Sequence, residues 1–68
     1  MSLEEAFKVV ETYAKDYEFN LVINFYTSKV FLLSRIDLKT ICHMSVTIAD
    51  TWQESIVKLA TRVQDGLI

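Results

Sequence analysis

The feature that most constrains this chain is a change in hydrophobic period part-way along it. Leu3, Ala6, Phe7, Val10, Tyr13, Ala14 and Tyr17 recur at the three- and four-residue spacing of one helical face. From Phe19 the spacing falls to two, with Phe19, Leu21, Ile23 and Phe25 alternating with Asn20, Val22, Asn24 and Tyr26. A chain that switches period in this way cannot be all-helical or all-strand. It must pack at least one amphipathic helix against a sheet.

The first pattern predicts a helix over residues 3–17. Ser2 and Glu5 stand in the relation of a capping box, in which the hydroxyl and the carboxylate satisfy orphan N–H groups reciprocally. Glu4 with Lys8 and Glu11 with Lys15 are ordered to favour a solvated outer face. The second pattern predicts a strand over 19–26, and the β-rich run from Lys29 to Ile36 predicts another. With Thr27 and Ser28 as a two-residue loop, Phe25 would lie opposite Val30, Ile23 opposite Leu32 and Leu21 opposite Ser34.

After a connection at Asp37, Leu38 and Lys39, residues 41–49 read as a third strand with Cys42, Met44, Val46 and Ile48 on its apolar side. A helix from Leu38 is the competing reading, and the density of β-branched residues favours the strand. Asp50 or Thr51 then caps a second helix, with Gln53 or Glu54 in the reciprocal position. Its apolar stripe is Trp52, Ile56, Leu59, Ala60, Val63 and Leu67, and Gly66 suits a left-handed C-terminal position. The expected fold is α+β: one domain over 1–68, a three-stranded antiparallel meander flanked by N- and C-terminal helices (α-β-β-β-α). Both helices should pack on one face of the sheet.

Composition narrows the function classes. A 68-residue chain has room for one core. A single cysteine, Cys42, rules out an internal disulfide, and with a single histidine, His43, no zinc cluster can form within one chain. The absence of proline and the presence of only one glycine argue against a linker or disordered segment. No apolar run is long enough for a membrane span, and the acidic start does not resemble a signal peptide. A cytoplasmic location is the expectation, consistent with the lone thiol.

The front of the chain is acidic, with Glu4, Glu5, Glu11, Asp16 and Glu18 against Lys8 and Lys15. The net charge of −2 favours a protein partner over nucleic acid. No constellation suits catalysis. Cys42 and His43 are adjacent, so on a strand they point to opposite faces, while Ser45 and His43 share a face but stand too far apart to act as nucleophile and base. Cys42 reads instead as a small buried hydrophobe. No enzyme activity, cofactor or metal is expected.

The informative feature is the second face of the expected sheet. If Phe19, Leu21, Ile23, Phe25, Val30, Leu32 and Ile36 meet the helices, then Val22, Tyr26, Phe31, Leu33 and Ile41 face away, among Lys29, Arg35 and His43. That face is too apolar for ordinary solvation. Either a helix wraps round to cover it, or a register shift redistributes it, or it is an interface. On the interface reading, Val22, Tyr26, Lys29, Phe31, Leu33, Arg35, Ile41 and His43 are the partner-binding set. The expected function is a non-catalytic protein-binding module, an inhibitor or accessory factor of the kind carried by phages or mobile elements, acting as a homodimer. The alternative is a nucleic-acid-binding regulatory domain in which Tyr26 and Phe31 stack on bases while Lys29, Arg35 and Lys39 neutralise phosphates.

Overall fold

The computed structural model describes residues 1–34 and 47–67. The elements run α1 (Leu3–Asp16), β1 (Phe19–Asn24), β2 (Lys29–Ser34), β3 (Thr47–Ile48) and α2 (Trp52–Gln64). The fold is α+β, two helices against an antiparallel sheet.

Both helices start where the sequence places them. The Ser2 side chain accepts from the Glu5 N–H at 3.1 Å, and that of Thr51 accepts from the Glu54 N–H at 3.2 Å, so each hydroxyl satisfies one of the orphan donors of a first turn. Thr51, not Asp50, is therefore the cap of α2. At the other end α2 closes with Gly66 at φ 73°, its N–H bonded to the Val63 carbonyl and the Leu67 N–H to that of Arg62. The end of α1 makes a related turn with Glu18 at φ 57°, a conformation in which most non-glycine side chains crowd the backbone. Leu67, expected on the buried stripe, is exposed because the chain turns away at Gly66 before reaching it.

The regular sheet is the β1–β2 hairpin, in register from Phe19 opposite Ser34 to Asn24 opposite Lys29. This register lies two residues from the expected one: Ile23 is opposite Val30 and Leu21 opposite Leu32. The loop therefore holds four residues, Phe25 to Ser28. The cause is Asn24, whose Oδ1 accepts from the N–H groups of Tyr26 (3.0 Å) and Thr27 (3.1 Å) and so ends the strand two residues early. Because the displacement is even, every side chain keeps its face. The two-residue β3 lies antiparallel beside β2, with Lys29 opposite Ile48 and Val30 opposite Thr47. Of the expected third strand this is the part described, and residues 41–46, with Ile41, Cys42, His43, Met44 and Ser45, lie outside the described residues. A full three-stranded meander is thus not established by the hairpin and this short segment.

The helices share one side of the sheet: α1 packs on β1 and α2, and α2 on β2 and β3. Ala6, Val10 and Ala14 from α1, Val30 and Leu32 from β2, and Ile56, Leu59 and Ala60 from α2 form the buried core. The alanines on α1 let the helices and sheet approach closely, while the branched residues fill the space between them. Phe19, Leu21 and Ile23 pack at the core margin, each half-buried.

Candidate functional site

The hairpin loop sits at the N-terminal end of α2 and is tied there. Ser55, in the first turn of α2 and fully buried, donates through its Oγ to the Ser28 carbonyl at 2.5 Å, with the Thr51 carbonyl at 3.2 Å. Ser28 adopts φ 59°, which carries the chain round into β2. A buried hydroxyl must find a partner, and here its partner is the loop. Ser55 lies on the apolar stripe of α2, three residues after Trp52 and four before Leu59, but its spacing alone names no partner for the hydroxyl.

Two aromatics project from the anchored loop. Phe25 is 65% exposed and meets the Trp52 ring edge-on, with centroids 5.2 Å apart. Trp52 in turn lies 6.1 Å from Phe7, so it is a half-buried hinge between loop and helix rather than the fully buried anchor its place on the stripe suggested. Tyr26 is 98% exposed. The expectation that Tyr26 lies on the outer sheet face is corrected: it stands at the tip of the loop, displaced there by the Asn24 turn.

On the outer sheet face, opposite the helices, Val22 lies across from Phe31, Asn20 across from Leu33 and Asn24 across from Lys29. Val22, Phe31 and Leu33 are half-buried, and Asn20, Asn24 and Lys29 are exposed. The structure thus brings Val22, Lys29, Phe31 and Leu33 together on one face, with Tyr26 at its loop end. Arg35, Ile41 and His43, named with them from sequence, lie outside the described residues.

At the far end, a second aromatic group forms where α1 hands over to β1. Tyr13 lies 4.7 Å from Tyr17 and 5.8 Å from Phe19 by ring centroids, and Tyr17 remains 60% exposed. An open groove of about 530 Å³ lies between the helices, lined by Glu5, Val9, Thr12, Tyr13, Asp16 and Val63 among others. On the outer side of α1, Glu11 and Lys15 pair at 2.9 Å. The hydrogen bond from Lys15, and then its positive charge, lower the Glu11 pKa, while the same hydrogen bond, and then the negative charge of Glu11, raise that of Lys15. Among the described residues no three histidine, cysteine or acidic side chains are placed to hold a metal ion, and no helix is long and apolar enough to cross a membrane.

Comparison with family models, curated proteins and solved structures finds no match.

Proposed function

We propose that this chain is a small protein-binding module, an inhibitor or accessory factor that works by occupying a partner's surface and does so as a homodimer. The observation that carries the reading is the outer sheet face. Val22, Phe31 and Leu33 stand together there on the side away from both helices, next to a loop that holds Phe25 and Tyr26 out from the body of the protein. An antiparallel sheet with one solvated face ordinarily alternates cleanly between apolar and polar, and this one does not. The Ser55 and Asn24 hydrogen bonds hold the loop backbone, so less backbone freedom is lost on docking. A third strand continuing from β3 toward residue 41 would widen the same face, and Ile41, His43 and Arg35 are proposed to extend it. The acidic balance of the chain argues for a protein partner.

The test is the double change Phe31→Ser with Leu33→Ser, examined for association by light scattering and for folding by circular dichroism. Each apolar side chain buried at an interface contributes roughly 1.5 to 3 kcal/mol before ordering costs. Loss of the pair should therefore weaken association by about tenfold or more while the helical signal is kept. A wild type that associates with nothing, together with a variant that unfolds, would return these side chains to the monomer's own core. Oligonucleotide binding that weakens steeply with salt would replace the reading with the nucleic-acid alternative.

A further inference from the structure

The β1 strand is the end strand of the sheet, next to β2 on one side, and among the described residues no strand pairs with its other edge. Such an edge presents a row of unpaired N–H and C=O groups, and soluble proteins usually guard it with a charge, a proline or a bulge. This one carries none of these. Phe19 to Asn24 contain no charged residue, proline or glycine, and the register against β2 runs unbroken through all six residues.

The sequence of the edge is also symmetric in chemical kind. Read outward from Val22, it meets Leu21 and Ile23, then Asn20 and Asn24, then Phe19 and Phe25. In an antiparallel pair directly opposite side chains share a face, so two identical strands joined with their helices on the same side must pair residues of equal parity. Centring the pair on Leu21 would set Asn20 against Val22, and centring it on Ile23 would set Val22 against Asn24. Centring it on Val22 alone sets like against like throughout.

We infer that two copies of this chain join through the β1 edges, antiparallel about a twofold axis at Val22. On the outer face Val22 meets the partner's Val22, flanked on each side by Asn20 against the partner's Asn24. Asn24 already accepts through Oδ1 from Tyr26 and Thr27, so its NH₂ is the group it offers to the partner's Asn20. On the helix side Leu21 meets the partner's Ile23. Both are left half-buried in the monomer, as are Phe19 and Val22, whereas Val30 and Leu32 on the adjacent strand are fully buried. Phe25 has left the strand, so the Phe19 position marks the end of the pairing. The sheet becomes continuous across the dimer and its outer faces merge. This specifies the homodimer of the proposed function but uses the strand edge, not the face.

Sedimentation of three chains tests it: the wild type, Asn20→Asp with Asn24→Asp, and Asn20→Lys with Asn24→Asp. Asn20 and Asn24 are exposed, and aspartate at 24 keeps an acceptor for the loop, so the monomer should fold in all three. In the stated register the first variant sets aspartate against aspartate twice, and the dissociation constant should rise roughly tenfold or more. The second sets lysine against aspartate twice and should dimerise at least as well as the wild type. After Cys42→Ser, a Val22→Cys chain should oxidise to a cross-linked dimer. Asn20→Cys should do so only when mixed with Asn24→Cys, because two copies of position 20 lie about 13 Å apart along the strand. A wild type that stays monomeric at the highest soluble concentration overturns the inference. So does a dimer indifferent to the aspartate pair, or one in which both charge variants behave alike. Dimerisation that survives Phe31→Ser with Leu33→Ser but not the aspartate pair keeps the edge and removes the face from self-association; the reverse pattern removes the edge.

Discussion

The two long strands have the same length and nearly the same apolar content, yet they sit in different environments. On β2, Val30 and Leu32 are fully buried under the helices, with β1 opposite both and β3 beside Val30. On β1, Phe19, Leu21 and Ile23 share that helix-facing side and reach only half-burial, because nothing described lies beyond the strand. A side chain in the middle of a sheet is covered from both sides and above. One on an edge is covered from above and from one side. The comparison shows that alternation determines which face a residue takes, while neighbour count determines how deep it goes.

The largest expected effect would break this comparison if it failed. Leu32→Ala should cost about 2 to 5 kcal/mol, since it empties a fully buried site in the core that α1, α2 and β2 share, with Leu21 of β1 opposite. Leu21→Ala, directly opposite on β1, should cost clearly less in the monomer, because solvent and neighbours can reclaim part of the space. Urea denaturation of both variants, at a concentration below any association, reads the difference. Equal costs would show that β1 is as enclosed as β2 and that its edge is already covered within one chain.

The next effect sharpens the comparison at the loop that joins the two strands. Ser55→Ala removes the hydroxyl that holds the Ser28 carbonyl, leaving a partly buried acceptor without its donor, and should cost about 1 to 3 kcal/mol. Its signature is local as well as global: Trp52, which meets Phe25 of the loop, should change its fluorescence, and amide exchange should quicken in residues 25–28. A stability loss with no change at Trp52 would mean that Ser55 supports α2 alone.

These residues also show where the sequence was readable and where it was not. Both helices, both caps and the two faces of the hairpin follow from local rules that need no tertiary context: Ser2 and Thr51 cap because a hydroxyl can reach an N–H two or three residues on, and the strand faces follow from a period of two. Phe31, Leu33 and Val22 fall together on the outer face for the same reason. The register was not readable in that way. Continuing the alternation through Phe25 and Tyr26 looked natural, but one Asn24 side chain accepting two backbone N–H groups outweighed it and moved Tyr26 from the face to the tip. The part of Ser55 was invisible because its partner, the Ser28 carbonyl, lies 27 residues away. Trp52 is shallower than its place on the stripe implies, because periodicity reports direction and not distance from solvent.

The smallest effect lies at the exposed extreme of the same gradient, on the outer face of α1. Glu11 and Lys15 pair at 2.9 Å with both side chains largely in water. The Glu11 pKa is lowered, so whatever stability the pair supplies is present above the ordinary carboxylate range and lost as pH falls through the folded-state value. The Lys15 pKa is raised, so the same contribution is present below the ordinary lysine range and lost as pH climbs through the folded-state value. Between those limits both groups are charged, and the pair is still exposed and screened by salt. Glu11→Gln should therefore leave the denaturation midpoint at neutral pH within experimental error of the wild type, with any residual difference disappearing at molar salt. The contrast with Leu32 is the point of the measurement: a short, well-oriented ion pair on the surface should matter far less than an uncharged side chain enclosed by the sheet and both helices. A salt-insensitive loss on Glu11→Gln would mean that the outer face of α1 is itself held against another surface, and the acidic helix would then join the β1 edge as a place where this chain meets a partner.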